Sequence, residues 1–504
     1  AASRGLKISP LQLFQYQTIE RLARVAEKIK VKESNYETVT GKIELTPVQK
    51  WFFDQNFENP NHYNQSALFV VKMNLEEAQI LNVLEILVMH HDMLRAKFIK
   101  HENIIEQVVG QEFNSDCLSY FDFSHLNDTE FSDEVKKTCD ILQRSFDLSK
   151  TPLFRAAYFS SGSENNNRLF FTFHHLIIDA VSWRIILEDL ISMFMSSEIH
   201  NEFRLPSKTC SYKKWSETLQ SIAQSESLND EIDFWSGLRK RKHFGIEKDY
   251  DGENLNKFNE QLVISIPASE TESLLIKAAP EFNLKVDELL IGCLMRAYNK
   301  WTGRRTLLLD LESHGREMNY AEIDVKRTVG WFTSIYPVYL DLKKEVQIVD
   351  QVNLIKEQLR AVQNNGIGFG LLKYIKGIQE LKEIPLAEII FNHLGSFDNI
   401  TDGGIFSAAK ESVGPQVDEN NHREHLIEVT SLISEGQLNI QFSYSKKVIK
   451  ENRIIELANH YKDTLMEFLN LYNEGGVKKV IASDYKLKKI TDQQLDKALK
   501  KLLK

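Results

Sequence analysis

The chain of 504 residues has few cysteines, no long apolar run and no excess of positive charge. The four cysteines lack the spacing of a zinc ribbon or a disulfide framework, which predicts a reducing, cytoplasmic setting. No apolar segment is long enough to cross a membrane and no secretory signal opens the chain, so we expect no membrane partner. The net charge of −9 argues against nucleic acid as the main partner. No Gly-x-Ser-x-Gly elbow is present, which disfavours a serine hydrolase.

A hydrophobic strand that ends in two histidines is the most informative segment. Arg168–Phe173 has the composition of a buried strand, and His174 and His175 follow it. Asp179 then precedes an amphipathic helix predicted over Val181–Met195. Because side chains alternate along a strand, the two histidines should not face the same cavity. We therefore expect one histidine to be chemical and the other structural, and no metal site made from both.

A leucine-rich strand ends in a second cluster of reactive side chains. Leu307–Leu309 is followed by Asp310 and Glu312, and then by His314 and Arg316. Glu312 and His314 share strand parity. A solvated turn is the simpler interpretation, but an acid directly after buried leucines favours a position in a cleft. A glutamate in a partly apolar cleft can have a raised pKa and serve as an acid or a base.

Two weaker signals are interpreted structurally. His90 and His91 end a predicted helix, where imidazoles suit the negative helix end better than catalysis. Arg95 follows them and is the expected cationic partner of Asp179, because a buried carboxylate needs one. Gly366–Gly370 lacks the lysine and the serine or threonine of a phosphate-binding loop. We interpret this glycine-rich segment as a mobile loop.

Composition and periodicity also divide the chain. The expected units are a fragment over 1–30, a linker over 31–42, mixed α/β lobes over 43–225 and 226–472, and a C-terminal segment over 473–504. A short helix is predicted after Thr18 and includes Ile29. The polar stretch Gln220–Asp230 is expected to be a hinge. Thr491–Lys504 predicts an amphipathic helix with a capping box and flanking lysines.

An ordered series of motifs resembles the condensation superfamily of nonribosomal peptide synthetases, and within it the epimerization domains. In chain order the motifs are Thr46–Phe53, His174–Leu190, Asp287–Leu290, Glu312–Glu317, Arg327–Pro337, Gly366–Gly370 and Phe391–Asp398. The resemblance covers roughly residues 43–470. It implies an α/β fold of two chloramphenicol-acetyltransferase-like lobes that form a V-shaped pseudo-dimer with a central tunnel.

The two ends of the chain extend this resemblance. Residues 1–30 resemble the last helices of a peptidyl carrier domain, and residues 473–504 resemble a docking helix. The implied partners are an upstream carrier domain in cis and a downstream synthetase subunit bound through the C-terminal helix. The resemblance implies a monomeric domain without metal or directly bound cofactor. The substrate arrives on the 4′-phosphopantetheine arm of a carrier.

The activity implied is epimerization of the Cα centre of a carrier-bound aminoacyl or peptidyl group, with His175 and Glu312 as the acid/base pair. Asp179 would orient the histidine loop by pairing with an arginine, Arg95 being the first choice. The remaining supporting residues implied are His174, His314 and Arg316. The residues expected to contact substrate or phosphopantetheine are Ser182, Trp331, Tyr336, Asn392 and His393.

Three positions depart from the family pattern, and two other functions stay open. Ala180 and Ser313 stand where the family has glycine, and His393 stands where it commonly has tyrosine.

A condensation domain that forms an amide bond is the alternative enzyme. A module that only binds carrier and docking partners is the alternative of another class. The Glu312 cluster argues against the first, and the retained His175 and Glu312 argue against the second.

Overall fold

The computed structural model describes residues 38–102, 104–163, 166–197, 205–242, 245–316, 323–343, 347–396 and 404–475, and the backbone of two short strands before them. The strands are β1 Leu6–Lys7, β2 Glu27–Lys28, β3 Gly41–Ile43, β4 Asn64–Val71, β5 Ala96–His101, β6 Ile104–Val109, β7 Leu118–Asp122, β8 Phe154–Ser160, β9 Asn167–His174, β10 Asn259–Ile266, β11 Thr306–Ser313, β12 Ser334–Asp341, β13 Ile389–Ser396, β14 Phe406–Ala408, β15 Ile427–Ser434 and β16 Gln437–Ser445.

Helices alternate with these strands, as a mixed α/β chain requires. Those of eight or more residues are α1 Pro47–Asp54, α2 Glu77–His90, α3 Asp128–Gln143, α4 Ala180–Ser197, α5 Tyr212–Gln224, α6 Asn229–Ser236, α7 Val286–Thr302, α8 Ile348–Arg360 and α9 Glu451–Asn473. Shorter helical segments are Asp92–Arg95, Ser115–Cys117, His175–Ile177, Glu226–Leu228, Gly237–Lys240, Asn256–Phe258, Ala268–Thr271, Glu272–Ala278, Ala279–Glu281, Gln363–Gly366, Ile367–Gly370, Leu371–Lys376 and Gln379–Lys382.

The first lobe is built on a five-stranded sheet with the order β14-β4-β9-β8-β7. Strand β9 is antiparallel to both β4 and β8, whereas β7 joins β8 in parallel. Strand β14 comes from residues 406–408 yet pairs antiparallel with β4. A strand from the second half of the chain therefore completes the sheet of the first lobe. A separate sheet of three strands has the order β3-β6-β5.

The second lobe is built on a six-stranded sheet with the order β10-β16-β15-β13-β11-β12. Its central strands β11, β13 and β15 run parallel, and its outer pairs are antiparallel. Helices α7 and α9 pack on each other and cover this sheet, where Tyr461 of α9 donates a hydrogen bond to the Leu290 carbonyl at 2.9 Å. Glu312 lies at the end of β11, just as His175 follows the end of β9.

Strand β9 is buried along its whole length, as its run of aromatic and aliphatic residues predicts. Leu169, Phe171 and Phe173 join the main core, whereas Phe170 joins a smaller cluster with residues of α3. The expected alternation along this strand is confirmed. The helix after it begins at Ala180, one residue before the predicted start, and ends at Ser197.

Three expectations about local structure are wrong. Gln220–Asp230 is mostly helical, because Ile222, Ala223 and Leu228 bury apolar surface that a solvated hinge would expose. Gly366–Gly370 is a buried helical turn instead of a mobile loop. At Gly366 the backbone φ is +78°, and an added Cβ would lie 2.1 Å from the ring of Tyr336. Its glycines serve close packing, which explains their density.

The third correction concerns the N-terminal fragment. Glu27–Lys28 pairs antiparallel with Leu6–Lys7, so the helix expected after Thr18 does not run through these two residues. Lysines alternate with Ile29 and Val31 in this part of the sequence, a pattern of period two that favours a strand. The rest of that fragment and the helix expected over Thr491–Lys504 lie outside the described residues.

All four cysteines are free, so no disulfide ties the described elements together. Across the described part of the chain, none of the helices combines the length and the apolar character that a membrane span needs.

Candidate active site

His175 begins the short 3₁₀ turn that follows strand β9. Its Nδ1 lies 2.8 Å from the carbonyl oxygen of Ile178, and because a carbonyl only accepts hydrogen bonds, Nδ1 carries the ring proton. Burial lowers the pKa of His175 below its ordinary value, which favours the neutral ring. In that form Nε2 holds a lone pair. His175 therefore presents a basic nitrogen.

Aromatic rings and one amide hold the His175 imidazole in place. Its ring centroid lies 4.2 Å from that of Trp331 and 5.8 Å from that of Tyr63. The side-chain nitrogen of Gln65 lies 2.8 Å from His175 Nε2. Trp331 is among the residues expected from the sequence, whereas Tyr63 and Gln65 are not.

His174 lies on the other side of the strand and is held by backbone groups. Its Nε2 donates to the carbonyl oxygen of Pro60 at 2.8 Å, and its Nδ1 accepts from the Leu176 N–H at 3.2 Å. The ring is fully buried, and burial lowers its pKa to about 3. His174 is thus a neutral residue that stabilises the turn carrying His175.

Glu312 is the penultimate residue of strand β11, and burial shifts the pKa of its carboxyl group. Burial raises the pKa of Glu312 to about 7, and the nearby carboxylates of Glu428 and Glu424 add to the rise. His425 and a 2.6 Å hydrogen bond from Asn392 Nδ2 oppose it. At neutral pH both protonation states of Glu312 are therefore populated, as acid/base chemistry requires.

His425 is the cationic neighbour that limits the rise in the pKa of Glu312. Its Nε2 donates to Asp310 at 2.8 Å. Burial alone lowers the pKa of His425, but the bond to Asp310 and the surrounding carboxylates outweigh burial and raise that pKa overall. The pKa of Glu312 thus depends on a set of charges contributed by strands β11 and β15 and the segment before β15.

His175 and Glu312 line one cavity, which encloses about 1780 Å³ including its open mouth. His175 comes from the lobe built on β9 and Glu312 from the lobe built on β11, so the cavity lies between the two sheets. The other lining residues that bear on the chemistry are Gln65, Asp179, Ala180, Val181, Asp287, His314, Tyr336, Asn392 and His393.

The residues expected to contact substrate divide into three groups. Tyr336, Asn392 and His393 line the cavity. Trp331 is buried behind His175 and packs on its ring. Ser182 is fully buried, and its hydroxyl donates to the Gly330 carbonyl at 2.8 Å. The expectation that Ser182 contacts substrate is wrong, because its hydroxyl binds the segment that crosses from the other lobe.

The departures from the family pattern also have definite places. The Nδ1 of His393 lies 2.9 Å from Ser431 Oγ, and burial lowers the pKa of His393, opposed by the charge of Asp287. Ser313 Oγ donates to the Asn365 carbonyl at 3.1 Å. Ala180 is half-buried at the cavity wall. His393 therefore adds a further imidazole to the cavity that His175 and Glu312 line.

Asp179 pairs with Arg316 across the two lobes. Arg316 Nη2 donates to both carboxylate oxygens, at 2.9 and 3.1 Å, and the Phe332 N–H donates to one of them at 3.1 Å. Arg316 also donates to the carbonyls of Val325 and Thr328. These bonds fasten the segment before β12 to the start of helix α4.

Arg95 is not the partner of Asp179. Its buried guanidinium donates to Asp92 at 3.1 Å and to the carbonyls of Gly110 and Val39 at 3.1 and 3.2 Å. The donors of Arg95 are therefore satisfied within the first lobe, whereas Arg316 comes from 137 residues away along the chain.

His314 lies at the exposed rim of the cavity. Its Nδ1 accepts a hydrogen bond from the Arg316 N–H at 3.2 Å. This contact helps to shape the turn from which the Arg316 side chain reaches Asp179.

Among the described residues, His90, His91 and Asp189 place their donor atoms within 4.8 Å of one another, a spacing that a metal ion could use. His91 Nε2 lies 2.9 Å from one oxygen of Asp189, and Arg327 donates to the other oxygen. A guanidinium on the same carboxylate disfavours a second cation there. The arrangement fits a structural ion pair that joins α2, α4 and Arg327, as expected for histidines at a helix end.

Several residues of the site have weak signals in the sequence. Gln65 is one of three polar residues at the start of a strand that is otherwise apolar, and Asp310 shares strand parity with Glu312. Glu424, Glu428 and His425 have no such signal, because only the pairing of β15 with β13 brings them near Glu312.

Comparison with known proteins places this geometry in a family. The condensation domain model matches residues 39–491. The chain is 33% identical over 508 residues to a linear gramicidin synthase of Brevibacillus parabrevis, and the match covers 100% of this chain and 10% of that protein. Surfactin synthase subunit 1 of Bacillus subtilis is 30% identical, and the match covers 98% of this chain and 14% of that protein. The chain thus spans about a tenth of the length of such relatives.

Solved structures also match this chain. The epimerization domain from the third module of tyrocidine synthetase B matches with a TM-score of 0.80 and 30% identity, over 87% of this chain and 99% of that one. The first condensation domain of the CDA synthetase matches with a TM-score of 0.62 and 15% identity, over 86% and 97%, and shows the shared fold alone. The protein is thus of the α/β class with two chloramphenicol-acetyltransferase-like lobes in a V, which confirms the expected fold. The chain belongs to the condensation domain family, whose members here are parts of nonribosomal peptide synthetases.

Proposed function

We propose that this chain epimerizes, from L to D, the Cα centre of an aminoacyl or peptidyl group held as a phosphopantetheine thioester on a carrier domain, in nonribosomal peptide antibiotic biosynthesis. One observation carries the proposal: His175 and Glu312 face a common cavity from different lobes. The 30% identity to a solved epimerization domain supports it.

Inversion at Cα needs two titratable groups. A thioester acidifies the Cα proton, and the reaction requires a base on one face of the carbon and an acid on the other. The neutral ring of His175 accepts a proton at Nε2, and the protonated fraction of Glu312 donates one. Breaking the Cα–H bond leaves an enolate, and a new Cα–H bond on the opposite face gives the inverted centre. The reverse reaction exchanges the two roles.

The first turn of helix α4 supplies donors for the enolate oxygen. Ala180 and Val181 line the cavity, and N–H groups of a first helical turn have no acceptor within the helix. Such donors favour a developing negative charge. Asp179 accepts from the Ser182 N–H at 2.7 Å and so fixes the start of this helix. The Arg316 pair therefore orients both the His175 turn and these donors.

The substrate would be delivered by a carrier domain in cis, and its phosphopantetheine arm would enter the cavity between the lobes. The domain would act as a monomer in the cytoplasm, without a metal or a directly bound cofactor. Docking to a downstream synthetase subunit would use the segment over Thr491–Lys504, for which the sequence predicts a helix and which lies outside the described residues.

Exchange of the Cα proton tests the proposal. A carrier domain loaded with an L-aminoacyl thioester is mixed with the full chain in deuterated water, and deuterium uptake and the D:L ratio are followed. We expect uptake with inversion, and a loss of about 100-fold or more in His175→Ala and Glu312→Gln. His101→Ala and Glu77→Gln change exposed residues and should match the unaltered chain.

The other functions predict different results. Amide formation between two loaded carriers, without Cα exchange, would establish condensation and overturn the proposal. Carrier binding without turnover across a panel of aminoacyl and peptidyl substrates would establish a passive docking module.

A further inference from the structure

Gln65 makes an unusual contact with the proposed catalytic histidine. It lies on strand β4, opposite Phe173 of β9, and its side chain lines the same cavity as His175. Its amide nitrogen lies 2.8 Å from His175 Nε2. Its amide oxygen is buried and, within the described residues, has no hydrogen-bond partner. A buried acceptor without a partner is costly and asks for an explanation.

The protonation chemistry of His175 explains why the amide oxygen of Gln65 has no partner among the described residues in this state. Because Nδ1–H is committed to the Ile178 carbonyl, every proton that the ring gains or loses is at Nε2. The neutral ring offers a lone pair there and needs a donor. The protonated ring offers an N–H there and needs an acceptor. Gln65 carries both groups on one planar amide, and a half-turn of its terminal torsion exchanges them.

We propose that Gln65 is a positioning residue that gives its N–H to neutral His175 and its amide oxygen to protonated His175, turning as the Cα proton arrives and leaves. The inference rests on the proposed function for its catalytic meaning. The amide serves both states of the ring without adding a charge. Because Nε2 has a single lone pair, the amide turns aside while the Cα proton is transferred, and it holds the ring in orientation before and after that transfer.

The other groups around His175 do not offer Nε2 both a donor and an acceptor. Asp179 acts through its charge, which raises the pKa of His175, and its oxygens are bonded to Arg316 and backbone N–H groups. His174 is neutral and bonded to the backbone. Burial raises the pKa of Tyr63, which stays uncharged, and Trp331 packs on the ring face. Glu312 lines the cavity from the other lobe.

Two substitutions separate positioning from general structural support. Gln65→Glu places a carboxylate beside Nε2, which favours the imidazolium and should raise the pKa of His175 by about 1 to 3 pH units. Gln65→Met keeps the length but removes donor and acceptor. The pKa of His175 should fall, because the charge-assisted bond that the imidazolium loses is stronger than the neutral bond that the uncharged ring loses. Gln111→Glu adds the same charge at an exposed glutamine and serves as the matched control.

The first readout needs no substrate. NMR titration of ring-labelled histidine in the full chain, with the His175 signal assigned from its loss in His175→Gln, measures the pKa directly. We expect opposite shifts in the Glu and Met variants and none in the control. An unshifted His175 in both Gln65 variants, with the fold intact by circular dichroism, would overturn the inference whether or not the chain proves to be an epimerase.

The second readout is the pH profile of Cα exchange. The limb that reports neutral His175 should move to higher pH in Gln65→Glu. In Gln65→Met the maximal rate should fall by roughly 10- to 100-fold, with the KM for the loaded carrier unchanged. A raised KM with an unmoved pH limb would instead make Gln65 a substrate contact. A failure of exchange in the unaltered chain, together with the expected titrations, would refute the proposed function and leave the amide's partnership with His175 standing.

Discussion

Replacing Asp179 with asparagine should weaken the contact that joins the two lobes beside the His175 turn. Asp179 and Arg316 have side chains only 5% and 6% exposed, so water compensates little when the pair is broken. The carboxylate accepts two bonds from Arg316, one from Phe332 N–H and one from Ser182 N–H. An asparagine side chain keeps one acceptor oxygen and turns an NH2 group toward donors that the second oxygen served.

The expected loss follows from the stranded guanidinium. Removing one partner of a buried ion pair costs about 3–5 kcal/mol, because the other charge stays buried without compensation. Asp133 is the matched control, since it pairs with Lys136 at 3.2 Å on the surface with 68% of its side chain exposed. Asp133→Asn should change the unfolding free energy very little.

Urea unfolding of the full chain measures this difference, and Arg316→Met completes a double-mutant cycle. The double variant should be less destabilised than the sum of the single variants, because it removes the stranded charge. Hydrogen–deuterium exchange should rise in residues 323–333 of Asp179→Asn, where the segment held by the pair lies. Equal stability of the Asp179 and Asp133 variants, or strict additivity in the cycle, would refute the assignment of this pair as the link between the lobes.

Two further predictions concern Glu312 and Gly366. The raised pKa of Glu312, about 7 against an ordinary 4.5, means that the folded chain holds this proton more tightly than the unfolded chain. Its contribution to stability is therefore full below pH 4.5 and is lost as the pH rises through about 7. Glu312→Gln should remove that part of the pH dependence of the urea unfolding midpoint. Plots of this midpoint against pH that run parallel for the two proteins would contradict the prediction. Gly366→Ala should destabilise the fold by more than 1 to 3 kcal/mol, roughly the cost of backbone strain alone, because the new Cβ meets the Tyr336 ring. Gly377→Ala has a similar φ of +76° with open space around it, so equal melting temperatures for the two variants would show that contact with Tyr336 is not decisive.

Much of the site could be anticipated from local patterns. The alternation of apolar residues before His174 and the leucines before Glu312 identify two strands that end in reactive side chains, and both strands are present. The parity of adjacent residues also separates His174 from His175, and their hydrogen bonds differ accordingly. These are short-range properties, because a backbone of period two determines which way neighbouring side chains point.

Two of the errors, those about Arg95 and Gly366–Gly370, have a common cause. Arg95 belongs to the same lobe as Asp179, yet the partner of Asp179 is Arg316 from the other lobe. Gly366–Gly370 has the composition of a mobile loop, yet its glycines allow helix and side chains to approach closely. In each case the deciding neighbour lies far away in the sequence, where periodicity carries no information.

By itself the sequence determined most of the strands and helices, the order of the family motifs and the two side chains, His175 and Glu312, on which the proposed function depends. Tertiary structure alone decided which charges surround them. The pKa of Glu312 depends on Glu428, Glu424 and His425, which reach it only because β15 lies beside β13. The basic nitrogen of His175 depends on Ile178 and meets Gln65 only because β4 pairs with β9. Electrostatic and hydrogen-bonding energies depend on distances of a few ångströms, and such distances between remote residues exist only after the chain has folded.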